Sequence, residues 1–128
     1  MRQPMDLGRD ANMTQTLIDE KAALEALNGD RRLLGELAVM FVEDAPVILQ
    51  ELQAAVDRQD RESAHRSIHS LRGLSSTFFA HDVVELAWRL EQDVKSENLD
   101  SLSNGGFVAL KRSINDLVKA LLESGYAN

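Results

Sequence analysis

The sequence predicts an all-α chain folded as an antiparallel, up-and-down four-helix bundle with a short additional N-terminal helix. Three observations lead there. Aromatic residues make up only 5% of the 128 residues while apolar residues make up 44%, so the core must be built from Leu, Val, Ile and Ala, the palette of packed helices. From residue 17 onward the chain cycles through a capping residue, an apolar stripe at three- and four-residue spacing, and a stop signal. Nowhere does polarity alternate with period two, so no strand is expected, and short links between long helices favour antiparallel neighbours.

Residues 1–16 are polar and aperiodic and read as a flexible leader. In "DEKAALEALNGD", Asp19 can cap a short helix with a stripe of Ala23, Leu24 and Leu27, and Asn28-Gly29 ends it. Asp30 then caps a long second helix whose stripe runs from Leu33 to Val56. Pro46 lies inside it, removes a backbone donor and should kink the helix near Val42. Asp60 caps a third helix expected to end near "AHD", where Asp82 caps a fourth carrying Val83, Leu86, Ala87, Leu90 and Val94. "SENLDSLSNGG" is the softest connection, and the last helix uses Phe107, Leu110, Ile114, Leu117, Val118 and Leu121. Trp88 reads as core or semi-buried packing.

The formal net charge of −7 argues against nucleic-acid binding, which relies on Lys and Arg at phosphates, and against an anionic membrane surface. Cysteine is absent, so there is no disulfide framework, thiol catalysis or thiolate zinc site. The first residues hold no apolar run of about seven or more, so they are not a signal peptide. No stretch reaches the roughly 20 apolar residues that span a bilayer. A cytoplasmic location is expected. The Met1 start and polar leader lean towards a complete small protein.

The third helix carries the chemistry, in "HRSIHSLRGLSS", residues 65–76. Each helical residue advances about 100°. With His69 as origin, Leu71, Leu74 and Phe78 fall within about 40° of the opposite pole and form the buried stripe, flanked by Ala64 and Ser67. His65, Arg66, Arg72, Gly73, Ser76 and Ala80 lie within about 60° of His69. His69 therefore points away from the core, among cations and very small side chains. An ordinary imidazole is largely neutral and nucleophilic at pH 7. Arg72, at i+3, can reach an anion held on the ring. Gly73 costs a helix about 1 kcal/mol relative to alanine, which makes sense if something must approach the backbone closely. Ser76 is small and can donate a hydrogen bond.

These residues resemble a known motif. "SAHRSIHSLRGLSSTFFA" is similar to the phosphorylation motif of histidine-containing phosphotransfer (HPt) domains, a histidine, a variable residue, an aliphatic, Lys or Arg, then Gly, followed by small residues. His69, Leu71, Arg72, Gly73 and Ser76 match it. "LLGELAVMFVEDAPVILQELQAAVDRQDRESAHRSIHSLRG" resembles that family's second helix and the entry to its third. "VVELAWRLEQ" and "DEKAALEALNGD" resemble the helix after the motif and the N-terminal helix. The resemblance covers most of the chain and implies an HPt four-helix-bundle domain over residues 17–125. One departure stands out. The family usually has Gly-Ala about ten residues after the histidine, where this chain has Phe79-Ala80. Phe79 either packs beneath the N-terminal helix or alters partner choice.

The resemblance implies a phosphorelay intermediate of two-component signalling. His69 would accept a phosphoryl group from a receiver-domain phospho-aspartate, or from a hybrid sensor histidine kinase, and pass it to an aspartate of a response regulator. Arg72 would stabilise the phosphoryl group. His65, Arg66, Gly73, Ser76, Phe79 and Ala80 would form the docking surface, with His65 tuning the site or touching the partner. The chain would need no cofactor of its own, the receiver supplying Mg²⁺, and would act as a monomeric phosphocarrier rather than a stand-alone enzyme. The sequence agrees in lacking a Gly-rich phosphate loop and clustered carboxylates, so it has no ATP-binding kinase motif. Two other readings compete. The patch could bind a receiver or another signalling protein without being phosphorylated. His65 and His69, with Glu62, have a spacing that could hold zinc, but other helices offer no obvious ligand and no metal is expected. His81 reads as a helix-junction residue, either a cap or solvated, and the acidic residues of the second helix read as a solvated face.

Overall fold

A computed structural model describes residues 17–96 and 98–127. Among them are five α-helices, which we label α1 (Glu20–Ala26), α2 (Arg31–Asp57), α3 (Arg61–Ser76), α4 (His81–Ser96) and α5 (Phe107–Glu123), with a π-helical turn at Leu102–Gly106 leading into α5. The described residues contain no strand. The leader expected over residues 1–16 lies outside them.

Carboxylates start the first three helices as the sequence leads one to expect. The Ala22 and Leu33 N–H groups donate to Asp19 and Asp30 over 3.0 Å each, satisfying donors that have no intrahelical partner. Asp60 caps α3 by accepting from the Ser63 N–H (3.1 Å) and hydroxyl (2.7 Å). The Ser63 bonds, helped by Arg58, hold its carboxyl down at about 2. Asn28-Gly29 ends α1 in left-handed conformation. The helix α2 continues through Pro46, which lies on its exposed side, where water can take the place of the missing donor.

The buried stripes converge on one core. It includes Leu34, Phe41 and Leu52 of α2, Ile68 and Leu71 of α3, Val83 and Ala87 of α4, and Leu110, Ile114 and Leu117 of α5. Phe41 meets Phe78 edge to face at 5.6 Å between ring centroids, a favoured aromatic geometry. The turn after α5 is tied in as well. The Tyr126 hydroxyl accepts from Arg31 at 3.0 Å and donates to Glu20, joining the C-terminal turn to α1 and α2.

Two expectations about the α3–α4 junction are corrected. First, α3 stops at Ser76, several residues short of "AHD", and the chain turns at residues 77–79. Second, Asp82 is not the cap of α4. The helix begins at His81, the Val84 N–H donates to the Ala80 carbonyl (2.9 Å), and Asp82 lies in the first turn. The cause is Phe79, whose φ of +52° breaks the helix. Bulky residues avoid this conformation, at roughly 1–2 kcal/mol. It is also the position at which the family resemblance leads one to expect glycine, the residue that adopts positive φ freely. Phe79 offsets the strain by packing half-buried against the core and edge-on to His81, 6.2 Å away. At the start of α5, Gly106 is required by close approach. A Cβ there would sit 2.5 Å from the Ser101 carbonyl oxygen and 2.7 Å from Leu90.

Strain and packing at Phe79 can be separated by two substitutions. Phe79→Ala keeps the strain and loses the packing, so it should destabilise the fold, whereas Phe79→Gly should be more stable than Phe79→Ala by about 1 kcal/mol. Urea unfolding of the pair checks this, and an alanine variant as stable as the glycine variant would remove the strain argument.

Candidate functional site

Packing of α3 against α4 brings three polar side chains together around one carboxylate. Glu91 occupies the buried face of α4 with Ala87, Leu90 and Val94, and only 4% of it is exposed. Its Oε1 accepts from Arg72 Nε at 2.8 Å. Its Oε2 lies 2.8 Å from His69 Nδ1 and 3.3 Å from His65 Nε2. The two imidazoles stack nearly parallel, with centroids 6.4 Å apart and planes 12° apart. Arg72 Nη2 approaches His69 Nδ1 to 3.2 Å.

The protonation pattern follows from the donor inventory. Burial alone would push the Glu91 carboxyl up, but the hydrogen bonds from Arg72 and His69 and their charges outweigh it and hold the group below its usual range. An ionised carboxylate only accepts, so the short His69 contact requires the proton on Nδ1. The Arg72 Nη2 approach is then a neighbouring charge rather than a hydrogen bond to that nitrogen. With Nδ1 occupied, the neutral ring keeps its lone pair on Nε2, which makes no hydrogen bond among the described residues. The His69 side chain is 63% exposed. The site is therefore an imidazole fixed in one tautomer by a buried carboxylate, with its basic nitrogen open to an incoming group.

The other residues singled out from the sequence divide into two sets. Gly73 lies beside His69 on the exposed face of α3, where a Cβ would meet nothing within 4 Å, so the surface there is open. The Ser76 hydroxyl donates to the Gly73 carbonyl at 2.7 Å and is thus engaged by its own helix. Arg66 is exposed and donates to the Ser63 hydroxyl at 3.1 Å. A groove beside the ring is lined by His65, Arg66, His69, Glu91 and Lys95, a basic patch on a chain of net charge −7. Ala80 does not belong to this surface. It follows the turn, is 1% exposed and packs in the core, because the helix that would have carried it round to His69 ends at Ser76. Phe79 sits in the same turn and is half-buried. Among the described residues no group of three or more His, Asp or Glu side chains is arranged to hold a metal ion, so Glu62 does not join His65 and His69 in a ligand set. Of the two readings of Trp88, core or semi-buried, it is not core: it is about half exposed.

The model of the Hpt domain family matches residues 36–123, a span that holds all of His65, His69, Arg72, Gly73 and Glu91. The chain belongs to the Hpt domain family. Membership implies phosphotransfer in two-component signalling, and Hpt domains interact with receiver domains in phosphorelays. Searches of curated proteins and of solved structures returned no match. No helix of the described Hpt domain is long and apolar enough to cross a membrane.

Glu91 is the residue that sequence reasoning missed. Its signal is present, since it falls four residues after Ala87 and three before Val94, a carboxylate inside an otherwise apolar stripe. A charge at such a position needs a partner from a facing helix. In Glu91→Gln an NH2 donor replaces one of the two oxygens that accept separately from His69 and Arg72, so stability at pH 7 should fall by about 1–3 kcal/mol. The folded-state carboxyl is lowered relative to its ordinary 4.5, so its contribution is present above that value and is lost as pH falls through the folded value. The gap between wild type and variant in urea unfolding should therefore narrow below pH 4.5, and a gap independent of pH would contradict the ionised pairing.

Proposed function

We propose that this Hpt domain is a phosphorelay intermediate that carries a phosphoryl group on Nε2 of His69. The observation supporting it is the Glu91 contact, which leaves that nitrogen as the ring's unprotonated, outward atom. The Nε2 lone pair attacks the phosphorus of a receiver's phospho-aspartate. An N–P bond forms, the P–O bond to the aspartate breaks, and the carboxylate leaves with its electron pair. No proton need be removed from the nucleophile, because Nε2 carries none. The ring gains positive charge as the bond forms, and Glu91 opposes it at 2.8 Å from Nδ1. The return step reverses these bonds onto the aspartate of a second receiver.

Arg72 would act twice. Its Nε holds Glu91 in place, and the remaining guanidinium N–H groups lie next to the ring, where they can meet phosphoryl oxygens. Gly73 keeps the surface low for the incoming receiver, with Ser76, Arg66 and His65 around it. The Mg²⁺ that supports such transfers would come with the receiver. A domain over residues 17–125, with α2–α5 as an antiparallel four-helix arrangement, would hold this face in place. A monomer would leave it open.

His69→Gln should fold normally and take up no phosphate from a phosphorylated receiver, whereas label retained by that variant would refute the assignment. Wild type that binds receivers yet accepts no phosphate would favour a non-phosphorylated interaction module. At Gly73 the fold and the function should separate. Gly73→Ala should gain up to about 1 kcal/mol of stability by helix propensity, while Gly73→Phe should slow transfer by about tenfold or more by holding the receiver away. Equal transfer rates across the Gly73 series would remove the steric role.

A further inference from the structure

We propose that Trp88 is the apolar anchor on which a receiver domain docks when it covers His69, and this inference rests on the phosphorelay reading above. The indole seats an apolar patch of the receiver next to its aspartate, on the α4 side of the reactive ring. It holds the partner without touching the reacting atoms.

The face described so far lacks such an anchor. His65, Arg66, Arg72, Gly73 and Ser76 are polar or small, whereas the energy of a protein interface concentrates in a few large side chains that lose their water, tryptophan prominent among them. The large apolar side chains left exposed are Leu33, Met40 and Val47 on α2, Trp88 on α4, and Val108 and Leu122 on α5. The Glu91 cluster is built by α3 and α4. Among the described residues, Trp88 is the one member of that set carried by either of these helices. Its ring is 49% exposed, and no described residue accepts from its indole N–H. It thus offers a flat apolar body with a donor at one end.

Periodicity places the ring beside the site. Gln92 and Lys95 line the groove next to the two imidazoles. Trp88 precedes them by four and seven residues, so the three share one face of α4. Arg61 and His65 lie with Lys95, and Arg72 lies with Glu91, so rising numbers along α3 go with falling numbers along α4. Trp88 therefore continues the line of Lys95 and Gln92 past His69 towards Arg72. Along the helix axis it stands one turn from Glu91, about 4.5 Å, and Glu91 touches the reactive ring at 2.8 Å. A specific interface covers about 600–800 Å² of each partner, a disc of roughly 14–16 Å radius. A receiver centred on Nε2 of His69 must cover position 88. The face is also asymmetric, with Arg66 and Lys95 in the groove on one side of His69 and the indole on the other. Positive charge there suits the anionic phospho-aspartate, and the apolar ring fixes which way round the receiver sits.

Trp88 is the only tryptophan of the chain, so its fluorescence reads docking directly. The probe is a tryptophan-free receiver domain, phosphorylated by acetyl phosphate where transfer is followed. As the receiver saturates the full chain, emission should shift to shorter wavelength and acrylamide quenching should fall. Trp88→Ala should raise the KM for phospho-receiver by about tenfold or more while kcat at saturation stays near wild type. Trp88→Phe keeps an apolar ring and should recover most of the loss, which separates docking from any damage to the fold. Val108→Ser, on α5, removes an exposed apolar side chain away from the site and should change neither constant. Unchanged emission at saturating receiver, with binding followed by calorimetry, would overturn the inference. So would a Trp88→Ala enzyme-like profile equal to that of Val108→Ser, or a fall in kcat with KM unchanged. A blue shift on concentrating the chain alone would mark a face between copies of this chain and would also overturn it. A receiver that shifts the emission and binds Trp88→Ala weakly, yet gives wild type no phosphate, would leave the docking role standing and count against the phosphorelay reading alone. Failure of every receiver tried to bind wild type would overturn both.

Discussion

A carboxylate buried between two helices has to be paired, and much of the site follows from how Glu91 meets that demand. Taken out of water without partners, it would be protonated or would destabilise the fold. Two charged or polar groups from α3 satisfy it, and one of them is the imidazole of His69. The same contacts that make burial tolerable also decide which nitrogen of His69 carries the proton. Stability and chemistry are thus coupled through a single side chain. A helix–helix interface could have been filled by an aliphatic residue at position 91 with less electrostatic risk, which is why a charged residue there directs attention to function.

The scaffold keeps that cluster in register and leaves the space above it empty. Side chains on packed helices hold their positions more closely than those on loops. Position 69 faces outward because Ile68 and Leu71 are drawn into the core. Gly73 gives up helix propensity where no neighbour requires it to be small, which is the observation behind the steric role proposed for it. The turn after α3 shows the reverse balance. There Phe79 takes a backbone conformation unfavourable for its type and is held by packing. One glycine is used where sterics inside the fold do not ask for it, and one bulky residue sits where the backbone favours glycine.

Much of this was legible in the sequence, and the limits have physical causes. The helical angles of His69, Arg72 and Gly73 follow from 3.6-residue periodicity within one element, so their common exposed face could be read directly. The Asp19, Asp30 and Asp60 caps were legible because capping is local. Glu91 was not, since its partners belong to another helix and only the inter-helix register brings them within 3 Å of it. Ala80 was assigned to the exposed face by extending the helix past Ser76, and no periodicity argument reveals that Phe79 turns the chain at positive φ. Trp88 was read as core or semi-buried packing, and its position along α4 leaves it half exposed.

The most direct measurement is the regiochemistry of the phosphohistidine. The full chain would be phosphorylated by a phospho-receiver, and the linkage read by ³¹P and ring ¹⁵N spectroscopy with the modified residue mapped. The account predicts an acid-labile, alkali-stable phosphoryl group on Nε2 of His69, with Nδ1 still protonated and facing Glu91. Phosphate on Nδ1 of His69, or on His65, would contradict it, because either result would mean that the Glu91 contact does not select the reacting nitrogen.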